Sequence, residues 1–276
     1  MSDPIPLDIA QALAAPGVST RLGICAGRLS YHAAVSSTND VALELARAGA
    51  PAGTSVVASA QSAGRGRRGR SWFSPSDLGV YVSVVLDNVV SPTVTLLAGV
   101  AVAEAIRASS GVPVELEWPN DLVLSSGAST RSYRRAKLGG VLTEAATGEA
   151  GTSLVVVGIG VNVAAAEYPT SLDRPITCLD AHATSPIVRG VLVVEILCAL
   201  AAWQRRCIDD GVTPILKRWG ELSPSSAGVT VGWESPDGPQ SGVTDGIGPS
   251  GSLRVRVGDR IENIVGGTLD WQVRGS

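Results

Sequence analysis

The chain has 276 residues, of which 45% are hydrophobic, and a formal net charge of −3. That suffices for one sizeable core plus a small extra domain. The charge balance excludes a global pull toward nucleic acid, so any basic cluster is a local feature. With 2 histidines, His32 and His182, neither a histidine-based metal site nor a Ser-His-Asp triad is expected, and no metal site is assigned. The 4 cysteines, Cys25, Cys178, Cys198 and Cys207, show neither C-x-x-C pairing nor histidines at metal spacing. They read as reduced cysteines of a cytosolic protein. The N-terminus lacks a basic segment followed by an apolar one, so no signal peptide is expected. No apolar run is expected to reach the roughly 18 residues of a membrane span. Val191–Ala202 comes closest, but Glu195 interrupts it.

Residues 1–20 are rich in proline and alanine, with a short helix expected at Leu7–Ala14. This is too little chain for a helix-turn-helix domain. Arg28–His32 reads as a short strand. Ser37, Thr38 and Asn39 are good N-cap residues for a helix over Val41–Ala48, which Gly49 stops. Thr54–Ala60 is β-branched and strand-like. It delivers Gln61, an amide with both donor and acceptor, and then Gly64-Arg65-Gly66-Arg67-Arg68-Gly69-Arg70-Ser71-Trp72-Phe73-Ser74-Pro75. Glycine lets the backbone approach a ligand closely, and arginine presents a charged fork to phosphate or carboxylate. The plain alternative is a solvated basic loop. The glycines also fit G-x-G-x-x-G, but Pro75 ends any following helix early, against a dinucleotide site.

Val80–Leu86 reads as a buried strand, Thr93–Ser109 as a helix with a small-residue face, and Val114–Trp118 as a strand ending at Pro119-Asn120-Asp121. Ser125–Ala136 is polar and longer than a tight hairpin needs, hence a mobile surface loop. Lys137–Glu144 reads as a strand whose two glycines argue for close approach of a ligand or another backbone. Thr152–Val157 continues as a strand into Gly158-Ile159-Gly160-Val161-Asn162-Val163. Ala164–Arg174 reads as a loop, Ser185–Cys207 and Pro214–Leu222 as core helices, and Ser223–Gly228 as a linker. From Val229 to Arg274 short β runs alternate with Gly/Pro/Asp turns, a pattern that fits a small SH3-type barrel.

Several of these strings, in this order, resemble the signature of biotin protein ligases. They are Ser37-Thr38-Asn39, the arginine loop with its Trp72-Phe73-Ser74-Pro75, Trp118-Pro119-Asn120-Asp121-Leu122, Lys137-x-x-Gly140-Val141-Leu142-x-Glu144, and Gly158-x-Gly160-x-Asn162. The resemblance runs from about Tyr31 to the C-terminus. It implies an α+β fold: a mixed sheet flanked by helices, similar to class II aminoacyl-tRNA synthetases, plus a C-terminal SH3-like barrel in which Gly242–Ile247 fits the usual turn. The implied division is an extension at 1–27, a catalytic domain at 28–222 and the barrel at 223–276.

The implied activity is ATP-dependent formation of biotinyl-5′-AMP and transfer of biotin to a lysine of a biotin carboxyl carrier domain. ATP and biotin are substrates, and Mg²⁺ accompanies the nucleotide. The catalytic set implied is Arg65, Arg67, Lys137 and Asp121, with Asp121 as general base for the incoming lysine. Ser37, Thr38, Asn39, Gln61, Gly64, Arg65, Arg67, Lys137, Gly140 and Gly158 would surround biotin. Arg67, Arg68, Arg70, Trp72, Asn120, Lys137 and Asn162 would hold the nucleotide, with Trp72 stacking on the adenylate. The resemblance implies no DNA, no membrane and a cytoplasmic setting; a homodimer stays open. In such ligases lysine is common at the position of Glu117, which puts a basic contact there in doubt. Four like charges on a glycine-rich backbone should leave the loop mobile until ligand orders it. Two other readings are a lipoate or octanoate transferase of the same architecture and a non-catalytic effector- or nucleic-acid-binding regulator.

Overall fold

A computed structural model describes residues 2–87, 93–125, 135–148, 151–169, 174–236 and 238–271. Its centre is a 7-stranded sheet in the order β1-β2-β3-β7-β6-β5-β4. The strands are β1 (Leu29–Val35), β2 (Ser55–Gln61), β3 (Gly79–Leu86), β4 (Glu115–Glu117), β5 (Asp121–Ser125), β6 (Arg135–Thr147) and β7 (Ser153–Asn162). β1 runs parallel to β2, and the other neighbours are antiparallel, so the sheet is mixed.

The sheet is covered on both faces, and the alternation of its side chains shows how. Val57, Val82, Val84 and Val157 join the large core with the helices α4 (Thr93–Ser110), α5 (Arg189–Asp210) and α6 (Thr213–Leu222). Their neighbours Val56, Val85 and Val156 point the other way, onto Ala42, Leu43 and Ala46 of α3 (Thr38–Arg47). A period of two on the strands and one apolar stripe on α3 thus make two cores on one sheet. At the chain start the expected short helix is present: α1 (Leu7–Leu13) buries Ile9 and Ala12, and Asp8 accepts a hydrogen bond from Gly190 N at the start of α5. The one-turn helix α2 (Val18–Arg21) follows it.

A 5-stranded antiparallel sheet ends the chain, in the order β11-β10-β9-β8-β12, built from β8 (Ala227–Ser235), β9 (Gly238–Ile247), β10 (Leu253–Val257), β11 (Arg260–Ile264) and β12 (Leu269–Trp271). Two expectations fail here. Ser223–Gly228 is not a linker: Ser223, Ser225 and Ser226 are buried, residues 224–226 form a 3₁₀ turn, and Ala227 already pairs in β8. The serines bond to the chain itself, Ser226 Oγ to Ser223 O and Thr244 Oγ1 to Ser225 O, so a polar string serves a packed joint. Gly242–Ile247 is not a turn but most of β9, paired with both β8 and β10.

The membrane expectation also needs correction. α4 is 18 residues long with mean hydropathy 1.2, long and apolar enough to cross a membrane by composition, but 67% of it is buried inside the protein. It is the central core helix, with Trp219 of α6 against Gly99. Most of the expected Ser125–Ala136 loop lies outside the described residues. Its ends are strand: Ser125 closes β5, and Arg135 and Ala136 open β6. All of the cysteines are buried and unpaired, and burial pushes the Cys25 thiol up to about 11.

Candidate functional site

On the face of the sheet that carries α3, the middle strands lose their side chains. Gly140 of β6 sits directly opposite Gly160 of β7, and Gly158 follows on the same face. A Cβ at Gly158 would lie 2.0 Å from Asn39 Oδ1, and one at Gly160 would lie 2.4 Å from Trp72 Nε1. The glycines therefore do two jobs at these points: they let Asn39 and Trp72 lie on the sheet, and they leave a trough beside them. The trough is the floor of a cavity of about 590 Å³.

The arginine loop forms its wall. It is a tight hairpin, closed by Gly66 N to Arg70 O at 2.7 Å and Trp72 N to Gly64 O at 2.7 Å. Arg68 (φ 58°) and Gly69 (φ 74°) turn its tip through left-handed conformation. Gly64 is required by proximity, since a Cβ there would meet Trp72 O at 2.5 Å. Three of its arginines have side-chain partners. Arg65 pairs with Asp40 of α3 at 3.0 Å and with Glu144 of β6. Arg67 donates to Asn120 Oδ1 at 3.1 Å. Arg68 donates to Thr268 Oγ1 at 3.0 Å, in the C-terminal sheet. Arg67 is half-buried, and burial, with Arg68 next, pulls its guanidinium below the ordinary value. Arg70 lines the cavity without any such partner among the described residues.

Ser37 stands at the N-cap of α3 but makes no capping hydrogen bond there, contrary to expectation. Its neighbours are drawn into the sheet instead. Thr38 N and Oγ1 both donate to Gln61 Oε1, at 2.8 and 3.1 Å, and Gln61 Nε2 donates to Ser74 Oγ at 2.8 Å. Gln61 thus spends its amide on tying α3 to the loop. Ser83 Oγ donates to Asn39 Oδ1 at 2.6 Å, and Asn39 Nδ2 donates to Glu144 Oε2 at 2.7 Å. Asn120 Nδ2 donates to Val141 O at 2.9 Å, and buried Asn162 Nδ2 donates to Thr177 O at 3.0 Å. These amides fix the frame. Trp72 lines the cavity as well, and its Nε1–H is buried against Gly160 with no hydrogen-bond partner.

At the far end Lys137 Nζ lies 2.7 Å from Asp121 Oδ1 and 5.5 Å from the Trp72 ring centre. Residues absent from the expected site complete this corner. Arg174 places Nη1 2.8 Å from Asp121 Oδ2 and Nη2 3.0 Å from Glu117 Oε1. The doubtful position 117 is therefore acidic and buried, yet a cation does reach it, from a segment without a readable motif. Phe73 and Tyr168 stand at the rim, edge to face at 5.9 Å, and burial pushes the Tyr168 phenol up to about 12. Gly267, Thr268, Leu269 and Trp271 add the C-terminal sheet to the lining. Trp118 Nε1 donates to Gly251 O at 3.0 Å and anchors that sheet beside the cavity.

All the expected site residues line this one cavity, apart from Gly64, which shapes the loop. With Arg174 added, the cations Arg67, Arg70, Lys137 and Arg174 border the trough, a set suited to an anion. Among the described residues no group of three or more metal-ligating side chains occurs.

Residues 31–162 match the Biotin/lipoate A/B protein ligase family. The chain is 33% identical over 248 residues to the bifunctional ligase/repressor BirA of Bacillus subtilis, covering 88% of this chain and 73% of that protein. It is 29% identical to the biotin–[acetyl-CoA-carboxylase] ligase of Paracoccus denitrificans, covering 81% of this chain and 92% of the other. In fold it is similar to the biotin protein ligase of Aquifex aeolicus solved with biotin and ATP, with a TM-score of 0.74 at 24% identity, over 90% of this chain and 99% of that one.

Proposed function

Because the chain belongs to the biotin/lipoate A/B protein ligase family, we propose that it activates biotin with ATP and transfers it to a lysine of a carrier protein. The observation that carries this reading is the cavity itself: a side-chain-free glycine trough walled by Arg67, Arg70, Lys137 and Trp72. The Paracoccus relative is named for biotin and acetyl-CoA carboxylase, which favours biotin over lipoate and a carboxylase carrier domain as acceptor.

The electrostatics support the first step. A biotin carboxylate oxygen attacks the α-phosphorus of ATP, a P–O bond forms, and pyrophosphate leaves with the bridging oxygen. Both reactants are anions, and cations held in place in a water-poor site offset their repulsion. Lys137 and Arg67 are the residues placed for this, with Arg70 free to follow the phosphates. Trp72 covers the adenylate by stacking. Ser37, Thr38, Asn39, Gly140 and Gly158 frame biotin, with Gln61 holding Thr38 in position. Asn120 and Asn162 hold the nucleotide's walls. In the second step the carrier lysine's amine attacks the acyl carbon, AMP leaves, and Asp121 takes the amine's proton. Asp121 must first release a partner, since Lys137 and Arg174 engage both its oxygens.

Mg²⁺ belongs to the proposal with the nucleotide. The cavity's own carboxylates do not form a cage for it, because Glu117 and Asp121 are each paired to arginine or lysine. It would be carried by the phosphates, and no step here depends on a protein ligand to it. The proposed division is a catalytic unit at 28–222 with a C-terminal unit at 223–276 whose Thr268 and Trp271 help enclose the site; the proposed setting is the cytoplasm, without DNA or membrane. Biotin-dependent ATP–pyrophosphate exchange tests the reading. Exchange with biotin and none with lipoate is expected; exchange with lipoate alone would overturn it.

A further inference from the structure

β4 and β5 place two acids side by side. Glu117 and Asp121 are directly opposite each other in the antiparallel pair, a position where like charges are destabilising. Glu117 is buried, at 3% exposure. An uncompensated carboxylate there would be costly. Arg174 resolves the conflict with one fork: Nη2 at 3.0 Å from Glu117 Oε1 and Nη1 at 2.8 Å from Asp121 Oδ2. Its position is set by the backbone that follows it. Lys137 N donates to Pro175 O at 2.8 Å, and Thr177 N donates to Lys137 O at 2.9 Å. The stretch after Arg174 therefore runs along β6 beside Lys137, so Arg174 and Lys137 reach Asp121 from its two oxygens.

Lys137 has a conflict of its own. The reaction needs its ammonium on the substrate's anionic groups, yet here it is held by Asp121 at 2.7 Å. Moving it away exposes a carboxylate unless another cation stays behind. Glu117 has Arg135 as well, at 3.5 Å, but Asp121 has Arg174 as its second cation.

We propose that Arg174 is a positioning residue for the adenylation step: by forking between Glu117 and Asp121, it keeps Asp121 compensated while Lys137 moves to the incoming anions. This rests on the ligase reading above. It makes a segment with no recognisable motif part of the reaction's machinery. Without Arg174, Asp121 would hold Lys137 more tightly, and the site would respond more slowly.

The test is a double-mutant cycle on biotin-dependent ATP–pyrophosphate exchange, with the unaltered chain as reference. Residues joined in one ion-pair network are coupled and do not act additively, which the cycle reads. Arg174→Gln is expected to lower the exchange kcat about tenfold. Arg174→Lys, which keeps charge but loses the fork, should recover part of it. Asp121→Asn removes the charge that traps Lys137, so Asp121→Asn/Arg174→Gln should exchange faster than Arg174→Gln alone. Thermal melts run beside the exchange assay separate this from simple relief of an uncompensated charge: the rescue is expected in kcat, with the melting temperature of Arg174→Gln unchanged by the added Asp121→Asn. If Arg174→Gln fails to fold because Glu117 is left half-covered, Glu117→Gln/Arg174→Gln removes the buried charge and should still exchange slowly. Full exchange by a folded Arg174→Gln protein overturns the inference, as does an Asp121→Asn change that slows Arg174→Gln further. Absence of biotin-dependent exchange in the unaltered chain would instead overturn the ligase reading.

Discussion

Gly158→Ala adds one methyl group in the middle of β7, and its consequences follow from the contacts around it. The new Cβ would stand 2.0 Å from Asn39 Oδ1 and 2.7 Å from its Cγ. Asn39 is 4% exposed and cannot swing into solvent without leaving Ser83 and Glu144. Two hydrogen bonds worth about 1 kcal/mol each are then lost, and overpacking adds about 1–3 kcal/mol. A destabilisation of about 4 kcal/mol is expected, which lowers the melting temperature by roughly 10 °C in a chain of this size. Because Asn39 and Gly158 both line the cavity, biotin affinity should fall as well, by about tenfold for each 1.4 kcal/mol lost at the site. Differential scanning calorimetry and biotin titration measure the two effects. A melting point within about 1 °C of the original, well inside the shift expected for even one lost hydrogen bond, would refute the argument that the glycine is required by Asn39.

Lys137→Ala separates chemistry from stability. Its pair with Asp121 is partly exposed, so stability should change by about 1 kcal/mol or less, while adenylation loses about 2–4 kcal/mol of transition-state stabilisation; pyrophosphate exchange beside a thermal melt reads both. Arg67→Gly removes the arginine that ties the loop to Asn120 and should increase escape of biotinyl-5′-AMP, seen as free adenylate and labelled bystander lysines. Asp121→Asn should slow single-turnover transfer from preformed adenylate more than exchange; equal slowing would reassign Asp121 to nucleotide binding. Iodoacetamide at pH 8 should label no cysteine of the native chain, since all are buried and Cys25 would need a pH near its raised value of about 11 to form thiolate; mass spectrometry after unfolding should then find all of them reactive.

Local signals served well where one physical cause dominates. β-branched runs announced β2, β3 and β7 because both faces of that sheet are covered there, which favours apolar residues on both sides of a strand. The glycines of β6 announced a close approach, and Gly140 with Gly158 and Gly160 of β7 floors the cavity. Signals failed where the same residue type serves two causes. Serine and glycine at 223–228 look like a linker, but the serines satisfy each other inside a joint that no composition rule separates from a flexible one. The apolarity of α4 is what a central helix needs, and length alone cannot distinguish that from a membrane span.

The arginine loop shows the deeper limit. Its charge density is a local feature, but the acids that meet Arg65, Asp40 on α3 and Glu144 on β6, lie elsewhere in the chain. The same holds for Glu117, whose acidity looks like the loss of a basic contact until Arg174, from the segment that follows β7 in the chain, is brought against it. Side-chain partners separated by 57 residues leave no periodicity in a single sequence (117 to 174). What such a sequence does carry is the demand itself: a buried carboxylate must be met by a cation somewhere. Read that way, an acid in a stretch that otherwise favours a base is a signal that an arginine elsewhere has become part of the site.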